Sequence, residues 1–136
     1  MSFEIELDHI GIATPNLEEN DFFKILGLKQ LDDEEVATEK VKVRFFETGN
    51  RATMELLEPT QSDSTIAKFI EKRGAGIHHI CFRVQGIDSL VAKLKEQGIR
   101  MINEEPRIGA HNCRVVFIHP KSTGGVLVEL SEKAQS

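Results

Sequence analysis

Asp8-His9-Ile10-Gly11-Ile12 and His78-His79-Ile80-Cys81-Phe82 decide the reading of the fold, because the second stretch repeats the first at an offset of 70. Working outward, Leu17 meets Ile87, and Gly27-Leu28 meets Gly98-Ile99 after a one-residue slip. Thr53-Met54-Glu55-Leu56 then meets Leu127-Val128-Glu129-Leu130 at an offset of 74, a drift that small loop insertions account for. What recurs is the order of elements. In the first half a strand over Glu4–Thr14 stops at Pro15, and Asn16 caps a helix over Leu17–Leu26 that Gly27 ends. Strands near Val41–Glu47 and Thr53–Leu57 follow. In the second half a strand covers His78–Val84. Ile87, Leu90, Val91 and Leu94 then form a helical stripe stopped by Gly98, with strands near Arg114–Ile118 and Val126–Leu130.

Between the halves, Ser62–Lys72 reads as a short helix with Ile66, Phe69 and Ile70 on one face, and Arg73-Gly74-Ala75-Gly76 as a joint. The expected class is α+β. Paired βαβββ modules, about 4–60 and 77–131, are joined through 62–76 into one domain over 1–136. Neither half buries much core alone, so the two are expected to share one curved sheet.

A chain of 136 residues is the size of one ordinary domain, and 40% hydrophobic with 29% charged residues is a globular composition. The net charge of −5, the absence of Trp and Tyr, and eight Phe suit a packed core and offer nothing to nucleic acid or an anionic membrane. Cys81 and Cys113 lack metal-knuckle spacing and read as reduced thiols. Met1-Ser2-Phe3-Glu4 opens into acidic, strand-like sequence, and no run is long enough to span a bilayer. A cytoplasmic protein is expected, or a mitochondrial matrix protein supplied without its transit peptide.

The repeat relates four residues that can carry chemistry. His9 and His79 open the first strand of each half, and Glu55 and Glu129 lie in the last. A lone strand His is more often structural than a ligand, and a lone strand Glu usually faces solvent. Glu55 and Glu129 nevertheless sit in apolar runs, where an unpaired buried carboxylate is costly. Two imidazoles and two carboxylates form a mixed N/O set suited to a divalent transition metal.

With these motifs in order, the chain resembles the vicinal oxygen chelate superfamily, and within it the methylmalonyl-CoA epimerase family. The segments are Asp8–Ala13, Glu55-Leu56-Leu57-Glu58-Pro59, Ile66-Ala67-Lys68-Phe69, Gly76–Ile80, Glu104–His111, His119-Pro120-Lys121-Ser122 and Gly124–Leu130. The resemblance implies metal ligands at His9, Glu55, His79 and Glu129. It also implies a divalent ion, cobalt first, with zinc, nickel or manganese as alternatives. Glu at position 55, where some epimerases carry Gln, leans toward glyoxalase I, in which a ligand glutamate is thought to move the proton; Glu55 and Glu129 are the candidates for that role here. Val43 stands where certain bacterial epimerases place an acid/base glutamate. Glu39 and Glu47 share its strand parity but read better as solvated strand-edge residues.

Epimerisation at a carbon between a thioester and a carboxylate needs a base on one face and an acid on the other. The expected substrate is an acyl-CoA, held at the surface because no P-loop or Rossmann glycine fingerprint is present. Lys121 and Ser122 are its candidate contacts, with the loop 109–112 at the mouth. His78 should face away from His79, and His111 and His119 lie in loops. A homodimer is expected from the superfamily. The competing readings are a glyoxalase I-type lactoylglutathione lyase, an extradiol-type iron oxygenase and a non-enzymatic small-molecule-binding member of the superfamily.

Overall fold

The computed structural model describes residues 4–134. Its order is β1 (Ile5–Ala13), α1 (Phe22–Leu26), β2 (Lys29–Gln30), β3 (Glu34–Val36), β4 (Val41–Glu47), β5 (Thr53–Pro59) and α2 (Thr65–Arg73), then β6 (Gly76–Val84), α3 (Ile87–Glu96), β7 (Arg107–Ile108), β8 (Arg114–Ile118) and β9 (Leu127–Glu132). None of its helices is long and apolar enough to cross a membrane.

Two compact units divide the chain. The first-half unit runs from His9 to His78, and the second-half unit joins the residues up to Asp8 to those from His79 onward. β1 and β6 therefore change unit in mid-strand. The cause is local bonding. Arg83 donates to Glu6 and Asp8, and the Gln85 N–H donates to the Glu4 carbonyl, so the opening residues belong with the second half.

Each unit is a mixed sheet. In the first-half unit the order is β2-β4-β5-β1, with β3 also on β4; in the second it is β6-β9-β8-β7. β1 runs parallel to β5 and β6 parallel to β9, while the β4–β5 and β8–β9 pairs are antiparallel. Side-chain alternation sorts the faces. In the first-half unit Leu17, Phe46 and Leu56 are almost fully buried with Phe23 and Ile12 on one face, while Ile66 of α2 joins Ala13, Val41, Val43 and Leu57 on the other. In the second, α3 lays Ile87, Leu90 and Val91 on Val116, Ile118 and Leu130, leaving the opposite face of β6–β9–β8 to the odd-numbered residues.

The helix expected over Leu17–Leu26 is interrupted. Leu17–Glu19 is a 3₁₀ turn whose Glu18 N–H donates to the Asn16 side chain, Asn20 leaves helical geometry, and α1 starts afresh at Phe22. Asn16 thus caps a single turn, and the chain needs a second start. The helix ends repeat faithfully. Gly27 and Gly98 both take left-handed φ, and Leu28 and Ile99 donate to Phe23 and Leu94 in the same six-to-one bond. In α2, the Ser64 hydroxyl accepts the Ala67 N–H at 2.9 Å.

Candidate metal centre

Each unit carries one His–Glu pair, and pairing register places both pairs alike. In the parallel ladders, His9 is opposite Thr53 with Gly11 opposite Glu55, and His79 is opposite Leu127 with Cys81 opposite Glu129. The glutamate therefore lies two residues along the neighbouring strand from the histidine's partner, on the same face. His9 Nδ1 is 3.2 Å from Glu55 Oε2, with side chains 13% and 15% exposed. His79 Nε2 is 3.9 Å from Glu129 Oε1, with side chains 13% and 18% exposed. Thr53 adds a long hydroxyl contact to Glu55 at 3.4 Å.

Phenylalanines flank both carboxylates. Phe45 stands directly across β4–β5 from Glu55, and Phe117 across β8–β9 from Glu129. These are closely spaced cross-strand pairs, so each carboxylate has an apolar wall on one side. The spacing of Phe45 from Glu55 matches that of Phe117 from Glu129 within two residues, and that is the signal by which the sequence could have revealed them. Over Phe117 lies the Arg107 guanidinium, 5.6 Å from the ring centre. Cys81, buried and reduced, shares the face of His79 and Glu129, and its sulfur lies within 4.8 Å of an Asp8 carboxylate oxygen. Asp8 accepts from Arg83 at 2.9 Å. Strand parity with His79 is the signal that could have marked Cys81, which the sequence alone reads only as a reduced thiol; no local signal marks Asp8.

The remaining candidates separate. Lys121 is exposed in a 3₁₀ turn after His119, whose Nδ1 accepts the Lys121 N–H at 3.1 Å. The Ser122 hydroxyl accepts the Arg100 N–H at 2.9 Å, and the Arg100 carbonyl accepts from His119, so this turn carries Arg100, His119 and Lys121 together. Partial burial, then the charges of Arg100 and Lys121, hold the His119 imidazole below the usual histidine range. His111 is exposed at a positive φ of 56°. His78 stacks edge-on against Phe69 of α2 at 4.9 Å, and burial keeps it below the usual range too. Val43 is 5% exposed in the α2 core, on the Phe45 side of the strand. Glu39 falls in a turn after β3 rather than in a strand, so its parity with residue 43 lapses; Glu47 ends β4 in the open.

Donor chemistry decides what the pairs can hold. Imidazole nitrogens beside carboxylate oxygens, all four side chains at 13–18% exposure, are the borderline N/O donors that zinc, cobalt, nickel and manganese accept. The residues fit a divalent metal.

The glyoxalase/bleomycin resistance protein/dioxygenase superfamily model matches residues 8–117, and the chain belongs to that superfamily. Within it the chain sits with the methylmalonyl-CoA epimerases. It is 45% identical to the mitochondrial methylmalonyl-CoA epimerase of Homo sapiens over 93% of its own length and 73% of the relative's. Against the ethylmalonyl-CoA/methylmalonyl-CoA epimerase of Cereibacter sphaeroides it is 41% identical, over 93% and 96%. A solved Streptomyces coelicolor methylmalonyl-CoA epimerase variant, in complex with 2-nitronate-propionyl-CoA, superposes with TM-score 0.79 at 34% identity, over 95% of this chain and 94% of that one. Superfamily members usually bind a divalent metal, and the described residues supply ligand groups for one.

Proposed function

We propose that this chain is an isomerase interconverting (2R)- and (2S)-methylmalonyl-CoA by removing the C2 proton from one face and returning it to the other. The observation that carries the reading is the repeated His–Glu register, His9 with Glu55 and His79 with Glu129, in a chain whose relatives bear that activity by name. His9, Glu55, His79 and Glu129 hold one divalent ion, cobalt first, with zinc, nickel or manganese as alternatives. When bound, the ion supplies Lewis acidity that lowers the cost of negative charge on the thioester oxygen.

The chain's own groups do the rest. A C2–H flanked by thioester and carboxylate is acidic enough for a carboxylate base, and Glu129 and Glu55 are the carboxylates available to take and return the proton. Phe45 and Phe117 limit water beside them, which strengthens the electrostatics of the charged step. Lys121, with Ser122 bracing Arg100, meets the phosphates of the coenzyme A moiety at the surface. The enzyme acts as a homodimer in the cytoplasm, where sedimentation and fractionation test it.

The test is to incubate metal-loaded protein with methylmalonyl-CoA in deuterated water beside a chelated control and follow label at C2 by mass spectrometry. Metal-dependent exchange supports the reading. No exchange with metal bound overturns it and favours a hemithioacetal substrate, the glyoxalase I-type reading that Glu55 keeps open.

A further inference from the structure

One cation of the second-half unit has no work in the scheme above. Arg107 is exposed at the start of β7, and among the described residues it has no acidic partner. β7 pairs Arg107 with Val115, and β8 pairs Val115 with Ser131 and Phe117 with Glu129. Residues directly opposite in antiparallel strands share a face, as do residues two apart along a strand. Arg107, Phe117 and Glu129 are thus on one face, the face of His79. The contact agrees, since the Arg107 guanidinium is 5.6 Å from the centre of the Phe117 ring that stands beside Glu129. Stacking on an aromatic ring fixes the guanidinium plane while leaving its edge N–H groups free.

The corresponding position in the first-half unit is Glu34, which β3 pairs with Val43 as β7 pairs Arg107 with Val115. The repeat has diverged in charge at this position, a glutamate standing in the first half where the second presents a guanidinium.

We propose that Arg107 receives the free carboxylate of the substrate, and so distinguishes 2-carboxyacyl-CoA thioesters from plain acyl-CoA thioesters. The proposal rests on the epimerase reading and names its substrate-selecting residue. A planar fork of N–H donors matches a carboxylate two-pronged, which an ammonium cannot. Its position one ring from Glu129 separates the charge that holds the substrate from the group that moves the proton.

The probes are methylmalonyl-CoA and propionyl-CoA, which differ only by that carboxylate. Equilibrium binding of both to the metal-loaded full chain is compared for the wild type, Arg107→Met and Arg107→Lys. The wild type should prefer methylmalonyl-CoA by about 10- to 100-fold, the range for charge-assisted hydrogen bonds. Arg107→Met should erase that preference by weakening methylmalonyl-CoA alone, and Arg107→Lys should restore part of it. An unchanged metal content and unfolding midpoint show that the variant is intact, as an exposed side chain should allow. Equal weakening of both thioesters, or no change in either, overturns the Arg107 role while C2 exchange by the wild type leaves the epimerase reading standing. A wild type that binds neither thioester and exchanges no label overturns both.

Discussion

Arg44 lies on the back of the strand that carries Phe45, and replacing it with Met tests how that strand is anchored. It is 8% exposed and donates through Nε and Nη2 to both oxygens of Asp33, each at 2.9 Å. Nη2 also reaches Glu18 at 2.9 Å, and Nη1 reaches the Leu17 carbonyl at 3.4 Å. A hydrogen bond to a charged group contributes roughly 1.5–3 kcal/mol, and the Asp33 side chain is only 23% exposed. Glu18 is 77% exposed, so its share is at most about 0.5–1 kcal/mol. Met keeps the apolar stem packed, so Arg44→Met should cost about 3 kcal/mol at pH 7 by urea unfolding. The pH dependence is the sharper check. Hydrogen bonding to Arg44 holds the Asp33 carboxyl below its ordinary range. A depressed carboxylate pKa gives stability that is fully present above the unfolded value, about 3.9, and lost as pH falls below it. The gap between wild type and variant should therefore shrink between pH 4 and pH 3. A gap below about 1 kcal/mol at pH 7, or one constant down to pH 3, would refute the anchoring role.

Other expectations follow from the same structure. Chelation should abolish C2 exchange, and His79→Ala should lower the affinity for an added divalent ion by about 100-fold or more, read by competition with a metallochromic dye. Leu56→Ala, emptying a site at 0% exposure between Leu17 and Phe46, should cost about 2–5 kcal/mol in urea. Val43→Glu should cost about 3 kcal/mol or more, because the carboxylate would enter the core of Ala13, Leu57 and Ile66, and calorimetry should show it without any gain in exchange rate.

The sequence was legible wherever two independent signals agreed. Ile87, Leu90, Val91 and Leu94 sit at helical spacing before a terminal glycine, and α3 follows that stripe. The His and Glu positions stood out because they recur, not because either is informative alone. β2, β3 and β7 passed unseen, since strands of two or three residues carry too few alternations to register. Arg107 was hidden for a related reason. Its importance comes from pairing with Val115 and stacking on Phe117, ten residues on, contacts that exist only once β7 and β8 are aligned. The break at Asn20 was equally beyond local reading, because Asn16 satisfies the cap rule whether one turn or three follow.

The shared register of the two halves has an evolutionary consequence. The connection between Ile118 and Leu127 is two residues longer than its counterpart between Phe46 and Thr53, yet Phe117 and Glu129 face each other as Phe45 and Glu55 do. Ladder pairing, rather than distance along the chain, conserves the spacing of the donors. Hairpin tips can therefore lengthen, shorten or acquire new side chains at little risk to the chemistry beneath them. A duplicated module built this way can have its rim rewritten one loop at a time, each half on its own schedule, while the inherited donor geometry stays fixed.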